Sequence, residues 1–140
     1  MKAKRKRVLP NDNAAFDKGM SSHCVDISEG GMVATSGDNG HSHSLVSQCL
    51  NHGVWSWMIA LDREDHCDET TCIGVAVHPV TNSNYENSHQ MWMVRCYNGE
   101  TYCCGGVQNL STCKIHPLDR VVFTLDSKTH TLYLEVNEVN

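Results

Sequence analysis

Val54 to Leu61 read VWSWMIAL. Trp55, Trp57, Ile59 and Leu61 recur at period two, the spacing that puts side chains on one face of a β-strand. Met58 and Ala60, on the opposite face, are apolar as well. Both faces can therefore be covered, as for a strand in the middle of a sandwich. Asn51-His52-Gly53 supplies the turn that leads in. A strand of this kind needs neighbours that alternate in the same way.

Such neighbours lie on both sides. Cys72 to Val77 reads CIGVAV, with Gly74 at a point where another backbone can come close. Met91 to Tyr97 (MWMVRCY) runs into Asn98-Gly99, a hairpin turn signal, and Glu100 to Cys104 pairs back across it. Val121 to Leu125 and Thr131 to Val136 flank Asp126-Ser127-Lys128-Thr129-His130 as a second hairpin. In it Val121, Phe123 and Leu125 share one face, and Leu132, Leu134 and Val136 share another. Upstream, His23 to Ile27, Met32 to Thr35 and Ser44 to Cys49 are shorter candidates, separated by Gly, Asn and Asp clusters that favour tight turns. Residues 78–90 and 105–117 read as long connections. Nothing shows a capped 3.6 period. Short strands at eight-to-twelve-residue spacing predict an all-β, antiparallel β-sandwich. Trp55, Trp57 and Trp92 sit at strand periodicity and are assigned to its core.

The chain has 140 residues, one domain by length, with 40% apolar and 19% charged residues, a globular composition. Residues 1–20 read as a basic, disordered leader and 21–140 as the domain. Lys2, Lys4, Arg5, Lys6 and Arg7 hold five of the eleven basic residues; the other 133 residues carry a net charge of -10. So acidic a body repels a phosphate backbone, and no nucleic-acid binding is expected of it. Lys4-Arg5-Lys6-Arg7 fits a nuclear-import signal or a weak anion-binding arm. No window of 18 apolar residues occurs, and the basic start runs into polar residues, so neither a membrane partner nor a secretory signal is expected.

Eight cysteines and nine histidines raise disulfides, zinc and thiol catalysis. Without a secretory signal, and with adjacent Cys103-Cys104 suited to alternate faces of a strand, most cysteines are expected to be small buried apolar residues in a reducing compartment. Cys103-Cys104 with Cys113 and His116, or His66-Cys67 with Cys72, lack the paired spacing that closes a tetrahedral zinc site. Cys67 stands among Asp65, Asp68 and Glu69, which raise a thiol pKa and disfavour a nucleophile. No GxSxG, P-loop or HExxH occurs. The expectation is no metal, no cofactor and no enzyme.

Four segments in order resemble the SPRY (B30.2-like) family. Gly53-Val54-Trp55-Ser56-Trp57-Met58-Ile59 is similar to its G-x-W-x-W-x-V strand, and Cys72-Ile73-Gly74-Val75-Ala76 to its I-G-V-A strand. Met91-Trp92-Met93-Val94 through Tyr97-Asn98-Gly99 is similar to its W-x-L…N-G hairpin. Asp119 to Asp126, followed by Thr131 to Asn137, resembles its paired strands G-D-x-V-x-V-x-L-D and T-L-x-F-x-x-N-G. Leu118 and Glu138 stand where that pattern has glycine. The pattern also continues for one or two strands where this chain ends at Asn140, which fits either a truncated product short of its last strands or a fragment of a much larger protein. The cysteine-rich, long-looped style resembles SPRY modules inside very large ubiquitin ligases.

The resemblance implies a non-catalytic protein–protein interaction module that docks a partner peptide or protein on loops at one rim of the sandwich, as substrate or partner recognition in a ubiquitin-ligase context. The candidate rim loops are 37–43, 62–70, 78–90 and 105–117. Within them Tyr85 offers apolar area with a polar handle, and Asn87 and His89 offer hydrogen bonds. Asp62, Glu64, Asp65, Asp68 and Glu69 form an acidic patch that selects a basic partner. The expected location is cytoplasmic, or nuclear through the basic leader. The rivals are an architectural packing domain of a large protein and a zinc-dependent fold.

Overall fold

The computed structural model describes residues 15–36, 40–62, 71–108 and 114–137, and the backbone of 6–8. Twelve strands follow in order: β1 (Lys6–Val8), β2 (Phe16–Asp17), β3 (Val25–Ser28), β4 (Val33–Ser36), β5 (Leu45–Val46), β6 (Val54–Ala60), β7 (Cys72–Ala76), β8 (Met91–Arg95), β9 (Thr101–Cys103), β10 (Gly106–Gln108), β11 (Arg120–Asp126) and β12 (Thr131–Val136). One sheet has the order β1-β6-β11-β12 and the other β10-β9-β8-β7. The pairs β2-β5 and β3-β4 stand as two small ribbons.

Alternation sets the core. Across the first sheet, Val121 lies opposite Ile59 and Val136, and Phe123 opposite Trp57 and Leu134. From the second sheet come Ile73 and Val94, with Cys96 and Ile115 just beyond its strands; all pack into one cluster with Leu61, Val121 and Phe123. Trp57 stacks on Phe123, centroids 5.4 Å apart at 12°. The two sheets therefore face each other across this layer, and the all-β sandwich expected from the period-two pattern is the fold.

Gly74 is where close approach was expected. A Cβ there would run into the carbonyl oxygen of Trp92 on the neighbouring strand. The positions of Asp119, Asp126 and Asn137 also gain a physical reason. Asn137 donates from Nδ2 to Asp119 at 2.6 Å, and Arg120 N donates to the Asn137 side chain at 3.0 Å, which closes one end of the β11-β12 hairpin. Asp126 accepts from Lys128 N at 3.0 Å and so shapes the turn at the other end. Leu118 lies at φ 73, the left-handed region that explains why a glycine suits this position.

Several expectations need correction. The leader is not uniformly unstructured: Lys6–Val8 adds a strand parallel to β6, and Phe16–Asp17 pairs with β5. The first sheet is therefore mixed rather than wholly antiparallel. The outer face of β6 is open, because Met58 is 57% exposed and only Ser56 is buried there, its hydroxyl donating to the Phe123 carbonyl at 3.1 Å. A strand, β10, occupies part of the expected connection 105–117; its Gly-Val-Gln is too short to show a period. Among the described cysteines only Cys96 is fully buried; Cys24, Cys72 and Cys103 are half-buried, Cys49 and Cys104 exposed.

Candidate functional site

The two halves of the expected binding surface leave the sandwich at opposite ends. The segment that begins with Asp62 follows β6, where Leu61 N bonds to Asp119 O and Leu118 N to Leu61 O. It returns at Thr71, whose carbonyl accepts from Cys96 N. The 77–90 loop instead joins the far ends of β7 and β8, a strand length of about 13 Å away. Asp62 is exposed; Glu64, Asp65, Asp68 and Glu69 lie outside the described residues. Tyr97, flanked by the Arg95 guanidinium at 5.9 Å and the Lys114 ammonium at 5.1 Å from its ring centroid, shares the Asp62 end.

The 77–90 loop holds itself in one conformation through its own amide side chains. Gln90 Oε1 accepts from Thr81 N at 2.9 Å, Thr81 Oγ1 at 3.0 Å and Asn82 N at 3.2 Å, while Gln90 Nε2 donates to Pro79 O at 2.7 Å. Asn82 Nδ2 donates to Asn87 Oδ1 at 2.9 Å. Asn82 and Asn84 each fold an Asx turn, accepting from Asn84 N and Glu86 N at 3.0 Å. Val77 N closes the base onto Gln90 O at 2.8 Å. Two further segments lean on this loop. His43 Nδ1 meets Ser83 Oγ at 2.7 Å, and Gly105 N donates to Ser88 O at 3.1 Å. Residues 40–44, 77–90 and 104–106 therefore share one rim.

Two aromatics exchange the places that the sequence suggested. Tyr85 was expected to contact a partner; it is buried, 7% accessible, beneath the loop. Its ring meets Tyr102 edge-on at 4.8 Å and His41 at 6.1 Å, and with Met91 and Tyr102 it forms a second apolar cluster on the outer face of the β10-β9-β8-β7 sheet. Burial, then Cys72 nearby, pushes its phenol up to about 12, so it stays neutral at any physiological pH. Trp92 was expected in the core; it is 40% exposed. It pairs with Val75 in β7, and Val77, 52% exposed, continues the same strand face one step on. The strand period put Trp92 on the same face as Val94 of the inter-sheet cluster, but its place near the start of β8 leaves it 40% exposed. Proximity to the loop was the available signal.

The remaining expected residues divide. Asn87 is exposed, but its Oδ1 is engaged by Asn82, so it stabilises the loop. His89 is exposed and its ring lies against Gly105, where a Cβ would come within 2.5 Å of Nε2. Beneath them, Tyr102 donates to Glu100 Oε2 at 2.7 Å. Burial and that bond raise the Tyr102 phenol, while Tyr102 and Asn98 hold the Glu100 carboxyl below its ordinary range. Among the described residues no three His, Cys, Asp or Glu side chains converge as metal ligands would, and no helix is long and apolar enough to cross a membrane.

Two facing four-stranded sheets, with ordered loops gathered at one rim, define a SPRY-like domain. The chain is similar to the SPRY domain of human HERC1: the match covers 89% of this chain and 77% of that one, at 28% identity and a TM-score of 0.81. No family model matches. The chain is accordingly a protein-interaction module of SPRY-like fold.

Proposed function

We propose that the chain recognises a protein or peptide at the rim formed by 40–44, 77–90 and 104–106, with Trp92 and Val77 as the apolar anchor and the 77–90 loop as its polar border. One observation carries this reading: a half-exposed tryptophan follows, two residues on, a loop already locked by its own amide bonds. Aromatic anchors supply much of the affinity of interfaces, and a preorganised border reduces the entropy cost of docking. Tyr85 supports the loop from below rather than touching the partner. Binding, not catalysis, is the activity, and substrate recognition in a ubiquitin-ligase context is the setting that the SPRY resemblance supports; a cytoplasmic location, or a nuclear one through Lys4-Arg5-Lys6-Arg7, is part of the proposal.

The acidic segment, Asp62 with Glu64, Asp65, Asp68 and Glu69, becomes a separate contact for a basic partner, since it departs from the other end. The architectural alternative is favoured by one feature, the exposed Met58 and Tyr133 on the outer side of the β1-β6-β11-β12 sheet. A quantitative pull-down from cytosolic and nuclear extracts separates the two. Proteins lost with Trp92→Ala but retained with Met58→Ser/Tyr133→Ser support rim docking. The reverse pattern supports packing through the sheet, and recovery unchanged by either variant contradicts both.

A further inference from the structure

We propose that Cys103 and Cys104 are a redox-reactive dithiol that closes to a vicinal disulfide on reaction with a disulfide oxidant such as oxidised glutathione. Cys103 ends β9, and Cys104 follows at φ 54 in the turn to β10, with Gly105 at φ 81. The turn is tight enough for Gly106 to pair back with Cys103. Cys104 therefore leaves the strand alternation at the rim, and its thiol is close enough to that of Cys103 to share a hydrogen bond with it. Their accessibilities differ: Cys104 is exposed and Cys103 half-buried. Burial first, and then the neighbouring Cys104 thiol, raises the Cys103 pKa, so Cys103 waits as a thiol while Cys104 meets the reagent.

The chemistry balances. The Cys104 thiolate attacks one sulfur of glutathione disulfide and releases one glutathione thiolate. Cys103, giving its proton to solvent, then attacks the Cys104 sulfur and releases the second. Two cysteine thiols lose two electrons and two protons, and one glutathione disulfide becomes two glutathione thiols. Adjacent Cα atoms lie about 3.8 Å apart, below the usual range of about 4.4–6.8 Å for a disulfide. The closed bond is therefore strained and easily reduced, the property of regulatory rather than structural disulfides. Closure acts where the 77–90 loop is fastened, because Gly105 carries the bond to Ser88 and the contact with His89. No partner is needed for the reaction, so it stands apart from the docking proposal.

The test uses the whole chain in buffers of graded reduced-to-oxidised glutathione, followed by acid quench, alkylation and peptide mass mapping of fragment 101–114. The expected result is loss of two hydrogens from that fragment, retained in Cys113→Ser, abolished in Cys103→Ser and in Cys104→Ser, and reversed by reduced glutathione. Phenylarsine oxide, which bridges neighbouring thiols, provides a variant-free arm. It is expected to protect both cysteines from alkylation at one equivalent and to be displaced by dithiothreitol. A stable glutathione adduct without loss of two hydrogens, or a loss that vanishes in Cys113→Ser and survives in Cys103→Ser, overturns the proposal.

Discussion

The molecule has two apolar clusters, built by different means. The larger lies between the sheets, where Trp57, Ile59, Val121, Phe123, Leu134 and Val136 meet because strand period brings every second side chain inward. The smaller lies on the outside of the second sheet, where Tyr85 and Val80 descend from a polar loop onto Met91, Met93 and Tyr102. The first is the scaffold; the second fastens the 77–90 loop to it. The same sheet thus uses one face for stability and the other to hold the loop still.

If the division is sound, substitutions should separate in size and in reach. Phe123→Ala should be the most damaging, at about 3–5 kcal/mol, with the whole domain losing cooperative unfolding in urea. Tyr85→Ala should cost about 2 kcal/mol, and its mark should be local: amide hydrogen exchange should accelerate across 77–90 while β6 and β11 stay protected. Uniform acceleration over both clusters would merge them into one unit.

Acid sharpens the comparison next. Glu100 and Asp119 carboxyls both lie below their ordinary range, held by Tyr102 and Asn98 in one case and by Asn137 and the His116 backbone N–H in the other. A depressed folded-state pKa gives stability that is fully present above the unfolded value, about 4, and is lost as pH falls through the folded value. Melting temperature should therefore fall below about pH 4, and Tyr102→Phe should lessen the share lost at Glu100 while leaving that at Asp119. Leu118→Gly should show the smallest effect, in the opposite direction. Leu118 is 77% exposed at φ 73, so glycine relieves backbone strain at little loss of burial, raising stability by about 1 kcal/mol or less; thermal melts read the sign.

The inter-sheet cluster was legible because its signal is periodic. VWSWMIAL, RVVFTLD and TLYLEV each announce their inward residues, and Gly74 and Asn98-Gly99 announce a close approach and a turn. The outer cluster was not legible, since one tyrosine in HPVTNSNYENSHQ carries no period, and the amides that aim it inward look like ordinary loop polarity. Trp92 was misjudged for a related reason: alternation gives the face of a strand but not how well each position along it is covered. Strand β1 escaped notice because a basic segment supplies backbone pairing with no apolar pattern. Which loops share a rim depends on strand direction and sheet packing, and so needed the fold.

The central claim is that Tyr85 fastens the 77–90 loop to the scaffold and that Trp92 belongs to the docking surface. Urea denaturation of Tyr85→Ala and Trp92→Ala side by side tests it most directly. The account predicts that Tyr85→Ala is the more destabilised of the two, with Trp92→Ala within about 1 kcal/mol of the parent. A Trp92→Ala chain that loses several times more stability than Tyr85→Ala would return the tryptophan to the core and contradict the assignment.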